Sequence, residues 1–241
     1  VGRVRQYIFI SSASAYQKPT PHYVITEDVR LVNPFSAYSS SKAECEAVLQ
    51  AQSTLSYTIV RPSHTSRTKF TTAMGEGDVA ASRMMRGKPI VVPGDGTSLW
   101  TLTRSLDFAP PFVRLFGNAA AMNDAFHLTS PNAYDWNHIY QAIGKALGVE
   151  PDLVHVPTDT LVKYNPDWEA ALLGDKAYSV VFDNSKIRSV VGEFTCDSSL
   201  DAFMAPLATD FLARGGVDVA IDAGLDALYD RIAADQRQVG G

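Results

Sequence analysis

Cysteine is nearly absent from this sequence. There are two in 241 residues, Cys45 and Cys196, with no CxxC and no ligand-like spacing. That excludes a disulfide framework and points to free thiols in a reducing compartment, the cytoplasm. Long apolar runs are also missing: none reaches the roughly 18 residues that a membrane span needs. The opening "VGRVRQYIFISSASA" sets Arg3 and Arg5 before an apolar stretch, as a secretory signal does, but "YIFI" is too short for its core. A basic excess is lacking as well. With 21 Lys and Arg against 26 Asp and Glu the net charge is -5, so no nucleic-acid partner is expected. The histidines (22, 64, 127, 138 and 155) are scattered without metal-ligand spacing or evident carboxylate partners, so no metal is expected. The chain begins at Val1 rather than Met, which suggests a fragment, a processed chain or a trimmed one.

What is present is an α/β text of ordinary globular composition, 46% hydrophobic and 20% charged. "QYIFIS" (6–11) reads as a buried parallel strand, followed by a loop to about residue 35. Pro34 precedes a helix expected from about Ser36 to Gln52, and "SYTIVRP" (56–62) is a second buried strand stopped by Pro62. Strand, crossover helix and strand make a βαβ-type unit with a parallel sheet. Further on, "GDVAASRMMRG" reads as helix, with Met84 and Met85 expected in the core. "PIVVPGDGTSLWTLT" (89–103) reads as two strands around the Gly94-Asp95-Gly96 turn. Residues 105–117 give a helical pattern interrupted by Pro110 and Pro111. "AFHLTS" (125–130) and "LVHVP" (153–157) are strands, and 134–148 is an amphipathic helix ended by Gly148. His127 and His155 alternate within strands and are expected to be structural. A short strand is expected at "YSVVF", and the acidic stretch near the C-terminus reads as a solvated amphipathic helix.

The chemistry is concentrated near the N-terminus. Tyr38 and Lys42 stand four apart on the first helix, so both project from one face. An ammonium beside a phenol favours the phenolate and makes the tyrosine a usable acid/base near neutral pH. A serine at the end of a neighbouring strand can hydrogen-bond the reacting oxygen, and Ser12 is so placed. Such a trio suits hydride transfer, in which the tyrosine moves the proton and a nicotinamide the hydride. A Tyr-x-x-x-Lys pair alone is unspecific; its context here is more telling. A strand ending in Ser-Ser-Ala, a Pro-containing loop, the pair at a helix start and a strand ending in Arg-Pro follow in order.

The segments "IFISSASAY", "TEDVRLVNPFSAYSSSK" and "YTIVRPS" resemble the middle of an extended short-chain dehydrogenase/reductase, the NAD-dependent epimerase/dehydratase family, and the likeness runs from residue 6 to about 160. The resemblance implies an incomplete Rossmann-like parallel sheet, its later strands only, with a smaller C-terminal substrate-binding α/β region. Residues 1–66 would be the last portion of the dinucleotide-binding domain. Residues 67–241 would bind substrate, with 125–130 returning to the sheet. It implies NAD or NADP as cofactor, Ser12 as hydroxyl polariser, Tyr38 as acid/base, and Lys42 as the group that holds the nicotinamide ribose. Pro62 and Ser63 fall where the family's backbone touches the nicotinamide end, and His64 where sugar epimerases turn an amide towards substrate. The substrate would be a sugar-like small molecule, and the protein a homodimer.

Some positions depart from the family pattern. Ala13 and Ser14 stand where sugar dehydratases carry an Asp-Glu pair, which argues against dehydration. Trp100 stands where epimerases often carry an Arg for the substrate diphosphate, and could stack on a substrate ring or pack in the interior. The glycine-rich pyrophosphate turn, expected well before Ser12, has no counterpart. "GEGDVA" (75–80) is a G-x-G-x-x-A, but neither a buried strand before it nor a closing acidic residue supports that role. The chain is therefore expected to begin at the family's fifth strand, with an open edge on "QYIFIS" and weak dinucleotide affinity. The function expected is NAD(P)-dependent hydride transfer at a carbinol or carbonyl carbon. The alternative is a catalytically silent binding or regulatory relative, or a truncated product without cofactor.

Overall fold

The computed structural model describes residues 4–52, 54–66, 68–75, 77–196 and 199–239. The chain forms strands β1 (Tyr7–Ile10) and β2 (Val24–Ile25), helix α1 (Ala37–Ala51), strands β3 (Tyr57–Pro62) and β4 (His64–Ser66), and helix α2 (Gly77–Met85). Next come β5 (Ile90–Pro93), β6 (Leu99–Arg104), α3 (Ser105–Val113), β7 (Asp124–Leu128), β8 (Ala133–Asp135) and α4 (Trp136–Leu147). The chain ends with β9 (Leu153–Val156), α5 (Thr158–Tyr164), α6 (Glu169–Ala171), β10 (Val181–Phe182), α7 (Ser185–Val191), α8 (Leu200–Ala213) and α9 (Ala223–Val239). Two compact units divide it. The first takes Val1–Thr65, Trp100–Ala133 and Leu173–Asp197, and the second Ser66–Leu99, Tyr134–Leu172 and Ser198–Gly241.

In the first unit a parallel sheet has the order β1-β3-β7, with Phe9 opposite Ile59 and Val60 opposite Phe126. The crossover from β1 to β3 carries α1. Ser36 starts that helix because its extended backbone (φ -134) turns the side-chain oxygen onto the N–H of Ser39. One sheet face closes over Val60, Phe126 and Leu128 with Leu115, Ile187 and Phe194, and Ile8, Phe108 and Phe112 pack against them. The cluster explains α3, which runs unbroken through Pro110 and Pro111. Burying Phe108 and Phe112 outweighs the lost helix bonds that the local sequence signals.

β1 is the edge of this sheet among the described residues, and Tyr7 and Ile10 are exposed rather than buried. The strand forms as expected, but its two ends are exposed and its middle half-buried, because among the described residues one side of it meets no neighbour. Val24–Ile25 lies in the segment read as loop and pairs in parallel with β10. Two residues are too few to leave a period in the sequence.

The second unit pairs β5 with β9 in parallel, Val91 opposite Val154. Helix α4 packs on α8 and α2, and α9 covers β5 and β9. Asp135 caps α4 through the N–H of His138 at 2.8 Å, and Gly148 closes the helix in the left-handed conformation (φ 72). Both strands around Gly94-Asp95-Gly96 form, but they do not pair with each other: β5 joins β9, and β6 lies between β4 and β8. The C-terminal helix is not simply solvated. Asp226 and Asp230 of α9 bind the fully buried Arg83 of α2, and Lys88 bridges both carboxylates. No described helix is long and apolar enough to cross a membrane.

Candidate active site

The residues singled out by the motif gather at the carboxyl ends of the first unit's parallel strands, where open α/β sheets bind ligands. Ser12 follows β1 and caps a single 3-10 turn, Ala13–Ala15, by accepting the N–H of Ser14 at 3.2 Å. Tyr38 and Lys42 lie on the first two turns of α1. Tyr38 is 61% exposed. The Lys42 ammonium stands 5.6 Å from the centre of the Tyr38 ring and 5.0 Å from that of Phe9. It donates to the carbonyl of Ile10 at 2.8 Å, which ties the helix to the end of β1 two residues before Ser12. A second tie runs through hydroxyls. Ser12 Oγ meets Ser14 Oγ at 2.8 Å, Ser14 Oγ meets Ser39 Oγ at 2.8 Å, and Ser39 Oγ donates to Ser36 Oγ at 3.0 Å. The trio is thus held together by α1 and β1.

Pro62 ends β3. Ser63 follows and turns its hydroxyl onto the carbonyl of Thr101 and the hydroxyl of Thr103, both at 3.3 Å. His64 is half-buried, and burial together with the nearby Lys176 charge pushes its pKa down to about 4, so it is neutral near pH 7. Trp100 lies in the interior of β6, 4% exposed, with the Lys176 ammonium 5.4 Å from a ring centre. Lys18 is also buried and pairs with Asp175 at 3.6 Å.

Beneath the trio runs a network that the motif does not announce. Glu46 of α1, 1% exposed, receives the Arg61 guanidinium of β3 on both carboxylate oxygens, the shortest contact being 2.6 Å. Arg61 also donates to the Tyr16 hydroxyl at 3.1 Å, and that hydroxyl meets His127 Nδ1 at 3.1 Å. His127 Nε2 meets the carbonyl of Asp183 at 2.7 Å. Because Arg61 can only donate and a carbonyl can only accept, Tyr16 gives its proton to Nδ1 and His127 keeps one on Nε2. Burial pushes the His127 pKa down to about 4, in keeping with this neutral tautomer. One sequence signal pointed here: Arg61 is a charge inside an apolar strand, and such a charge needs a partner. Two of the five histidines do have carboxylate neighbours, His138 at 2.7 Å from Asp135 and His127 at 3.7 Å from Glu27.

The site can be tested for a nicotinamide dinucleotide by its donors. One of the three Lys42 protons is on Ile10, and two remain for a ribose diol beside the exposed phenol. Those donors and the exposed Tyr38 side chain would suit a nicotinamide ribose. Among the described residues, which leave out position 76, the pyrophosphate finds no equivalent. In "GEGDVA", Gly77 opens α2 against the chain itself: a Cβ there would lie 2.2 Å from the carbonyl oxygen of Phe70. That glycine serves helix packing, with Val79, Ala80, Ala81 and Met84 buried behind it.

Comparison with known proteins agrees with the fold. The chain is 30% identical over 167 residues to chloroplast stem-loop binding protein of 41 kDa b from Arabidopsis thaliana, covering 68% of this chain and 40% of that protein. Among solved structures it is similar to Pal from Bacillus thuringiensis, with 19% identity and a TM-score of 0.66 over 86% of this chain and 63% of that one. It is also similar to the UDP-N-acetylglucosamine 4-epimerase of Methanobrevibacter ruminantium M1, with 18% identity and a TM-score of 0.69 over 87% and 64%. A short-chain dehydrogenase/reductase superfamily protein from Agrobacterium tumefaciens, solved with bound NAD, matches at 18% and 0.63 over 88% and 68%. The chain thus spans less than half of the curated relative and about two thirds of these structures. At such identities the structural likeness is one of fold. The sequence itself goes further: residues 2–128 match the model of the NAD dependent epimerase/dehydratase family, and the chain belongs to that family.

Proposed function

We propose that this chain carries the catalytic residues of an NAD(P)-dependent oxidoreductase or epimerase acting at a carbinol or carbonyl carbon of a sugar-like substrate. One observation carries the reading: an exposed Tyr38 phenol with the Lys42 ammonium 5.6 Å from its ring, on a helix tied to Ser12. When bound, the nicotinamide would supply or accept hydride. Lys42 would hold the ribose with its two remaining donors and keep a positive charge beside the phenol. Tyr38 would move the proton at the substrate oxygen, and Ser12 would hydrogen-bond that oxygen. Neutral His64 would meet a substrate hydroxyl as donor or acceptor. Buried Trp100 would shape the pocket wall from behind rather than stack on a ring. A homodimer through α1 is consistent with the exposed side chains of that helix, Val48 among them.

The test is turnover. Incubation with NAD or NADP and a panel of nucleotide sugars, uronic acids and free sugars, read by NMR, should reveal one converted substrate. Tyr38→Phe should lower its rate at least about 100-fold, the usual worth of a positioned acid/base. Conversion at the same rate by the variant refutes the reading.

A second reading, a catalytically silent binding protein, draws support from the relative named for stem-loop binding. Charge weighs against an extended phosphate surface. The first unit has eleven basic and ten acidic residues, the second ten and sixteen. Salt-dependent retention of an RNA hairpin by the wild type, unaltered in Tyr38→Phe, would favour this reading over the enzyme.

A further inference from the structure

We infer that Asn33 is a positioning residue: its side-chain amide fastens the segment 174–178, which borders the substrate side of the site, to the turn after Ser12 and to the start of the Tyr38 helix. The inference rests on the hydride-transfer reading for its functional meaning, but its structural content stands alone.

Asn33 lies just before α1 and is 3% exposed. Its Nδ2 donates to the carbonyl of Ser14 at 2.8 Å and to that of Gly174 at 2.6 Å. Its Oδ1 accepts the N–H of Phe35 at 3.2 Å. Both carbonyls can only accept and that N–H can only donate, so the orientation of the amide is fixed. The Asn33 backbone is held as well: its carbonyl accepts the hydroxyl of Ser40 on α1 at 3.1 Å.

Each segment joined in this way carries a part of the site. The Ser14 hydroxyl meets those of Ser12 and Ser39. Phe35 leads into Ser36, the cap of α1. Beyond Gly174, the Lys176 ammonium stands 5.4 Å from a Trp100 ring centre, and its charge adds to burial in keeping His64 neutral. Gly174 comes close to the helix start: a Cβ there would stand 3.4 Å from the Cβ atoms of Phe35 and Ser36. Lys18 ties the same segment through Asp175, but at a longer 3.6 Å. The substitutes for Asn33 all fail. Aspartate keeps an acceptor for Phe35 but turns a carboxylate towards two carbonyls, alanine drops all three bonds, and glutamine carries the amide a methylene too far. A buried carbonyl that loses its donor is costly unless water reaches it, so without Asn33 the segment opens.

The test follows the His64 imidazole by NMR in the whole chain between pH 7 and 5.5. In the wild type His64 titrates at about 4, so only about 3% is protonated at pH 5.5 and its signal stays still. In Asn33→Ala the cover and the Lys176 charge draw back, and at least about a quarter should be protonated at pH 5.5. Asn33→Asp should move His64 likewise, with the Phe35 amide signal closer to wild type than in Asn33→Ala. Leu115→Ala thins the core on the sheet face away from α1 and serves as a control for lost stability alone; it should leave the His64 signal still. A still signal in Asn33→Ala, or an equal movement in Leu115→Ala, overturns the positioning role. Should the Asn33 variants fail to fold, the wild type decides through scalar couplings across its hydrogen bonds. Couplings from Asn33 Nδ2 to the carbonyl carbons of both Ser14 and Gly174 are expected, and the lack of either overturns the inference. Tyr38→Phe should leave the His64 signal untouched, so a failed hydride-transfer reading and a failed positioning role give different results.

Discussion

Acid should weaken this protein through one residue in particular. His127 is fully buried, and its two ring nitrogens are engaged by Tyr16 and by the carbonyl of Asp183. Arg61 and Lys186 add positive charge nearby, and Glu27 stands at 3.7 Å. The folded imidazole titrates at about 4. An unfolded one titrates near 6.5, so between those values the unfolded chain takes up a proton that the folded chain refuses. Stability is then lost as pH falls through that window, and at pH 4 the loss is about 3 kcal/mol. His127→Gln gives the contrast. A glutamine can accept from Tyr16 and donate to Asp183 without titrating. Urea unfolding at pH 7, 5.5 and 4 should show the wild type losing about 3 kcal/mol more than the variant across the range. His64, also near 4, titrates in both proteins and cancels. Asp226 cancels too: partial burial pushes its carboxyl up, but the Lys88, Arg83 and Arg86 charges hold it down to about 2. Parallel curves for the two proteins would refute the reasoning.

Other substitutions probe the packing around the site. Glu46→Ala leaves the Arg61 guanidinium buried without its carboxylate and should cost about 3–5 kcal/mol in urea unfolding, whereas a loss under about 1 kcal/mol would mean that the pair is hydrated. Gly77→Ala sets a methyl 2.2 Å from the Phe70 oxygen, so its thermal midpoint should fall by several degrees or the chain should fail to fold; an unchanged midpoint would contradict the close approach. Asp226→Asn removes one of two carboxylates from buried Arg83, and amide exchange in α9 should accelerate more than in β7. Equal acceleration in the two elements would mean that the carboxylate does not hold α9 in place.

The parts that were legible in the sequence are those written in short, ordered stretches. The proposed trio of Ser12, Tyr38 and Lys42 is marked by a helix period and a strand end, and β1, α1 and β3 follow from apolar runs and from Pro34 and Pro62. The pairing of β5 and β6 was misleading for the opposite reason. The Gly-Asp-Gly turn is a local hairpin signal, but partners are chosen by the sheet, and β9 and β4 lie far along the chain. The glycines of "GEGDVA" were already unconvincing as a phosphate loop, and the carbonyl of Phe70 supplies their physical reason.

What could not be read is the wiring. Glu46 and Arg61 are 15 residues apart, Ser14 and Ser39 25, and Tyr16 and His127 111. In a sequence each is one more charged or polar residue, and the prior for such residues is solvent. Arg61 breaks its local pattern as a charge in a buried strand, and His127 is expected to be structural from its place in another, but neither names its partner. The contrast has a cause. A motif residue acts through its own neighbours on one element, so its spacing is preserved in the text. A residue that orients another across elements acts through a distance that only the closed fold defines. Ser14 shows the consequence. By position it replaces an acid of the dehydratase pattern, and from the sequence alone it counts as a loss. In the fold its hydroxyl stands between those of Ser12 and Ser39 and links the end of β1 to the helix of Tyr38.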